Sequence, residues 1–143
     1  MAQNVASKPS VFGEVFEKES RLPKRNPVLV VEDDRELRES LKATLQGAGF
    51  SVVEAANGEE ALRLLGRNAS ISVILLDVVM PVMDGWEFRA AQKRDPELAK
   101  IPVVAMSGFQ KEIDDRPIDS DAFLPKPVRA EVLIETVRNC CGP

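Results

Sequence analysis

Five short apolar runs, most of them rich in β-branched residues, alternate along this chain with amphipathic stretches, and that alternation restricts the fold more than any other feature. Val28-Leu29-Val30-Val31 is too short for a helix and reads as a strand buried on both faces. Leu37, Leu41, Thr44, Leu45 and Ala48 then recur at helical spacing, closed by Gly47 and Gly49. Ser51 to Ala55 is the second run, followed from Asn57-Gly58 by a helix through Ala61, Leu62 and Leu65. Ile71 to Leu76 is the most apolar run and stops at Asp77; a loop through Met80 to Gly85 leads to a helix from Trp86 to about Arg94, ended by Asp95-Pro96. Pro102 to Met106 and Ala122 to Leu124 complete the strands, and Ala130 to about Cys140 forms a last helix with Leu133 and Val137 inward. Parallel neighbours need right-handed crossovers of helix length, so this order predicts an α/β fold: a doubly wound, five-stranded parallel sheet with helices on both faces.

A chain of 143 residues, 44% hydrophobic, accommodates one such domain and little else. Residues 1–26 lack a sustained period and read as a flexible N-terminal tail, leaving 27–143 as the folded domain. Within the tail, Val11, Phe12, Val15 and Phe16 would share one side of a short helix opened by Ser10. The tail carries a net +2 and the remaining 117 residues a net −6. An acidic folded part argues against direct nucleic-acid binding, and no effector segment is expected after Cys141. No apolar run approaches the ~20 residues of a membrane span and no signal peptide is evident, so the expectation is a cytoplasmic protein without a membrane partner. Cys140 and Cys141 read as two thiols in a frayed end. The absence of histidine removes imidazole bases, His-ligated metals and phosphohistidine chemistry from this chain.

In open α/β sheets, ligands bind beyond the carboxyl ends of the strands. Glu32 and Asp33 follow the first strand, Asp77 the third, Ser107 the fourth, and Lys126 comes just after the fifth. Each has a plain reading alone: first-turn acids beside a capping Asp34, a turn at Ser107-Gly108, a surface lysine between prolines. Independent accidents would not all fall at strand ends of one sheet. Three gathered carboxylates need a divalent ion or a lysine to remain ionised, and oxygen ligands select a hard cation such as Mg²⁺. Cation, ammonium and hydroxyl together form a set suited to a transferring phosphoryl group. With no glycine-rich phosphate loop to cradle a nucleotide, the remaining nucleophile is a carboxylate, Asp77.

From Val28 to Cys141 the chain resembles the receiver domain of two-component response regulators. The resemblance rests on Glu32-Asp33, on Asp77 within Leu75 to Pro81, on Met83-Asp84-Gly85, on Ser107 and on Lys126-Pro127, all in order. It implies a flavodoxin-like strand order 2-1-3-4-5 and a chemotaxis-regulator-like single domain. It also implies that Asp77 accepts a phosphoryl group from a histidine kinase or phosphotransfer protein, then signals to a downstream protein target. Glu32, Asp33, Asp77 and the Val79 carbonyl would hold Mg²⁺, Lys126 would pair with the phosphoryl group, and Ser107 and Phe123 would act as switch residues. Pro127 would follow a cis bond, and Val79 and Phe109 would flank the path of hydrolytic water. Trp86 is expected to lie close enough to report on the site.

The chain departs from the family between Ser107 and Lys126, where 18 residues include five acids, Pro117, and only Ile113 and Ile118 as aliphatic residues over 110–121. The fourth helix is therefore expected to be short or irregular. Two other readings are weighed. A phosphatase-type enzyme would need an acid two residues after Asp77, where Val79 stands, so the expectation is a signalling module rather than an enzyme, with slow autodephosphorylation. A degenerate receiver would bind partners independently of phosphorylation.

Overall fold

The computed structural model describes residues 27–67 and 70–141; the tail 1–26, with its Val11 to Phe16 stretch, lies outside the described residues. Strands β1 (Val28–Val31), β2 (Val52–Ala55), β3 (Val73–Asp77), β4 (Val103–Ser107) and β5 (Ala122–Pro125) form one sheet. All pairings are parallel and the order is β2-β1-β3-β4-β5. Helices α1 (Arg35–Gly47), α2 (Gly58–Arg67), α3 (Gly85–Arg94), α4 (Gln110–Asp115) and α5 (Ala130–Cys141) make the connections, with a 3₁₀ turn at Leu98–Lys100. This is the doubly wound α/β architecture that the alternation of runs predicts.

Strand side chains alternate between faces, so the sheet organises two cores. Val28, Val30, Val73, Leu75, Val104 and Met106 pack against Leu41 and Leu45 of α1 and Leu133 and Val137 of α5. Leu29, Val31, Ile74, Leu76 and Val103 meet Ala61 and Leu65 of α2 and Phe88 of α3 on the other side. Each fully buried aliphatic side chain contributes about 1.5–3 kcal/mol. The helices begin where side chains satisfy otherwise unpaired N–H groups. Asp34 accepts from Glu36 and Leu37, Asn57 from Glu60, and Asp84 forms a reciprocal capping box with Glu87.

Several details differ from the periodicity. The third strand starts at Val73 rather than Ile71, because Ser72 turns its N–H to the Pro27 carbonyl at 3.0 Å; Ile71 is buried but outside the ladder. The fourth starts after Pro102, which has no N–H to offer. The thiols do not sit in a frayed end: α5 runs through both, they are half-buried against the first core, and Cys141 Sγ lies 3.5 Å from Ser72 Oγ. The expectation for the fourth helix holds: α4 is six residues long. The chain after it lies along α3, where Trp86 Nε1 donates to the Arg116 carbonyl at 2.9 Å, the Arg116 guanidinium stands 4.6 Å from the indole centre, and Arg89 and Lys93 hold Asp119. No described helix is long and apolar enough to cross a membrane.

Candidate functional site

Parallel register delivers the strand ends to one edge. Leu76 pairs with Val31 on one side and with Ala105 on the other, and Ser107 pairs with Pro125, so Glu32, Asp77, Ser107 and Lys126 emerge as neighbours. Carboxylate oxygens of Glu32, Asp33 and Asp77 lie within 4.8 Å of one another. Asp33 is exposed, whereas Glu32 and Asp77 retain 1% and 3% of their accessible surface. The Lys126 ammonium sits 2.9 Å from Glu32 Oε1 and 3.3 Å from Asp77 Oδ1. The first contact is ionic but poorly aligned, leaving Oε1 buried without a directed hydrogen bond. Glu32 Oε2 accepts from the Asp34 N–H at 3.1 Å, and Asp77 Oδ1 from that of Val79 at 3.3 Å.

Burial, reinforced by the neighbouring Glu32 carboxylate, raises the Asp77 carboxyl to about 7 despite the opposing Lys126 charge. For Lys126, burial disfavours the charge, but its contacts with Glu32 and Asp77 outweigh that and lift it above the usual lysine range. The donor set fits a small hard cation: three carboxylates from two strand ends, all oxygen, with one buried oxygen lacking a directed donor. A cation there would relieve the repulsion that raises Asp77.

Around this cluster, Ser107 is buried with its Oγ accepting from the Phe109 N–H at 2.9 Å. The Phe109 side chain is 58% exposed and does not cover the site. Phe123 is half-buried on β5 beside Ala105, Val79 is half-buried, and the Lys126–Pro127 bond is cis. Trp86 is engaged with Arg116 beyond α4, so its nearest reportable partner is that segment rather than the acids.

Several positioning residues escape a reading from sequence. Arg38 donates to the Glu32 carbonyl at 2.8 Å and pairs with Glu54, tying the turn that bears Glu32 and Asp33 to β2. The Lys42 bond, opposed by partial burial and aided by Arg38, holds the Glu54 carboxyl below its ordinary range. Gly85 must be glycine, because a Cβ would stand 2.7 Å from Val78 Cα. Val82 adopts φ +71 while the Met83 N–H bonds the Pro81 carbonyl at 2.7 Å, a strained three-residue turn. An arginine on a polar helix face carries no local sign of its distant acceptor. The glycine and the Pro81-Val82 turn are at least marked by Met83-Asp84-Gly85.

Comparison with known proteins agrees with this geometry. The family model described as the response regulator receiver domain matches residues 28–138. The chain is 36% identical over 116 residues to the transcriptional regulatory protein CpxR of Escherichia coli, covering 79% of this chain and 48% of that protein. It therefore spans about half the length of that relative. Among solved structures, the receiver domain of a signal transduction histidine kinase from Syntrophus aciditrophicus superposes with a TM-score of 0.73 at 31% identity, covering 81% of this chain and 89% of that one. The chemotaxis response regulator CheY4 of Vibrio cholerae gives 0.73 at 31% identity, covering 82% and 99%. With the model matched from the first strand into the last helix, the chain belongs to the response regulator receiver domain family of two-component systems.

Proposed function

We propose that residues 27–143 form a phosphorylation-dependent signalling unit, preceded by a tail at 1–26, in which Asp77 accepts a phosphoryl group from a histidine kinase or phosphotransfer protein. The observation that carries this reading is the meeting of Asp77, Glu32, Asp33 and Lys126 at one sheet edge, with Ser107 on the adjoining strand end. An Asp77 oxygen attacks the phosphorus of a donor phosphohistidine; the P–O bond forms as the P–N bond breaks, and its electron pair leaves on the imidazole nitrogen. Glu32, Asp33, Asp77 and the Val79 carbonyl would hold Mg²⁺, which supplies charge neutralisation at the transferring oxygens. Lys126 neutralises a further oxygen and Ser107 Oγ, released from the Phe109 N–H, donates to another. Phe123 then follows Ser107, and the changed surface is read by a downstream protein. The unit makes no product beyond its own acyl phosphate and the slow hydrolysis of it. The phosphorylation-independent alternative finds no support, since every acid, the hydroxyl and the ammonium are in place.

Incubation with a labelled small acyl-phosphate donor and Mg²⁺ tests the assignment. Asp77→Asn should abolish acid-labile incorporation, whereas Ser107→Ala should retain it and lose the conformational response; undiminished labelling of the Asn variant defeats the reading. After donor removal, decay should be slow, because neither Val79 nor Phe109 orients a water. Val79→Asn with Phe109→Glu should hasten it, and since Phe109 is largely exposed, Val79 is expected to carry most of the change.

A further inference from the structure

Glu32 and Asp33 are carried on the turn between β1 and α1, and the side chain that ties this turn down from α1 is Arg38. Its Nη1 donates to the Glu32 carbonyl at 2.8 Å while its Nε stands 3.3 Å from Glu54 Oε1, and the side chain is only 16% exposed. Lys42, one turn further along α1, holds the other Glu54 oxygen at 3.0 Å. Glu54 belongs to β2, in register with Val30 of β1. The guanidinium is thus braced by the sheet. Resting on the reading of Glu32 and Asp33 as cation ligands, we propose that Arg38 is a positioning residue that sets the affinity of the acidic cluster for its divalent cation.

The peptide group between Glu32 and Asp33 is planar, so a donor on the Glu32 carbonyl fixes the plane from which Asp33 departs. The Glu32 N–H is tied to the Ala55 carbonyl at 3.1 Å, and Glu32 Oε2 accepts from the Asp34 N–H at 3.1 Å. Arg38 supplies the constraint on the carbonyl side. Asp33 needs it most. Its carboxylate is exposed and among the described residues no hydrogen bond holds it, yet one of its oxygens lies within 4.8 Å of those of Glu32 and Asp77. Groups already in place lose less freedom on binding than groups that must be gathered.

Charge acts in the opposite direction, because a guanidinium near the acids repels a divalent ion. Here that repulsion is offset. Glu54 faces the guanidinium, and Glu60 lines the same small recess with Arg38, Glu54, Ala55 and Ala56. Removing Arg38 therefore weakens cation binding if positioning dominates and tightens it if charge dominates, and the paired, hydrogen-bonded setting of Arg38 favours the first.

Mn²⁺, a hard cation that takes the same oxygen ligands, serves as the probe, with the free ion counted by electron paramagnetic resonance on the full chain without a phosphodonor. Arg38→Ala should raise the dissociation constant about tenfold, as loss of a residue that orients a ligand commonly does. Arg38→Lys keeps the charge but lacks the planar fork that serves Glu32 and Glu54 together, and should recover part of the loss. In the cation-free protein the carbonyl ¹³C resonance of Glu32 should move upfield in Arg38→Ala, a mark of the hydrogen bond lost at that atom. Should the Ala variant fail to fold, Arg38→Lys must still bind more weakly than the parent. An Ala variant that binds Mn²⁺ as tightly as the parent, or more tightly, overturns the proposal. Glu32→Ala with Asp33→Ala separates the two readings. If that double variant abolishes binding while Arg38→Ala is neutral, the role of Arg38 falls and the acidic site stands; if binding survives the double variant, the cation lies elsewhere and both fall.

Discussion

Asp77 occupies a place that disfavours its own charge. In the cation-free protein, burial and Glu32 keep its carboxyl protonated up to about pH 7, against an ordinary aspartate value of 3.8. The folded chain therefore binds more protons than the unfolded chain between these values, and this group's contribution to stability falls as pH rises through that window. Asp77→Asn should remove the penalty. In urea unfolding with EDTA, the variant should exceed the parent by about 1–4 kcal/mol at pH 8, an advantage that shrinks toward pH 4 and, at pH 8, when Mg²⁺ is added. A less stable variant at pH 8 without cations would show that Lys126 compensates the acids fully. At this scale the candidate site residues are legible because each stands at a strand end, a position that hydrophobic runs reveal. Residues that act through distant contacts are not. Gln92, fully buried with its amide bonded to the carbonyls of Leu98 and Ile101, looks in the sequence like any polar helix residue.

The elements that depart from periodicity do so for local reasons. Pro117 and a run of acids foretell a short α4, and Pro102 lacks the donor that a strand start would use. The route after α4 was not foretold, because it depends on Trp86, Arg89 and Lys93 meeting Arg116 and Asp119 across some thirty positions of sequence. That contact makes Trp86 a reporter of the segment that follows α4. Arg116→Ala should leave the indole bond to the backbone carbonyl intact while removing the cation over the ring. The expected result is greater acrylamide quenching of Trp86 and a loss of about 0.5–1 kcal/mol in stability, with Mg²⁺-dependent changes at the acids retained. Unaltered quenching would mean that the guanidinium does not shield the ring. Val82 shows the reverse tendency: an exposed β-branched residue at positive φ persists because its loop seats Met83 against Gly58, where a Cβ would approach Met83 Cγ to 2.9 Å.

For the molecule as a whole, the alternation of runs was enough to predict parallel strands with helices on both faces, while the strand order came from resemblance and is now observed. The burial of the thiols is not legible in the sequence, because it depends on which helix closes the first core, a property of the assembled sheet. Pro27 and Cys141 meet through Ser72 at the amino ends of the interior strands β1 and β3, the edge of the sheet opposite Asp77. Chain order and spatial order are consequently separable in this fold. Joining Cys141 to Pro27 through a short glycine linker and reopening the exposed Asp95-Pro96 turn should yield a circular permutant with cooperative urea unfolding near that of the parent, whereas reopening at Val82 should forfeit cation binding. Between Pro27 and Cys141 the backbone is in effect a nearly closed ring, with the acids on one edge of the sheet and the near-meeting of its two ends on the opposite edge.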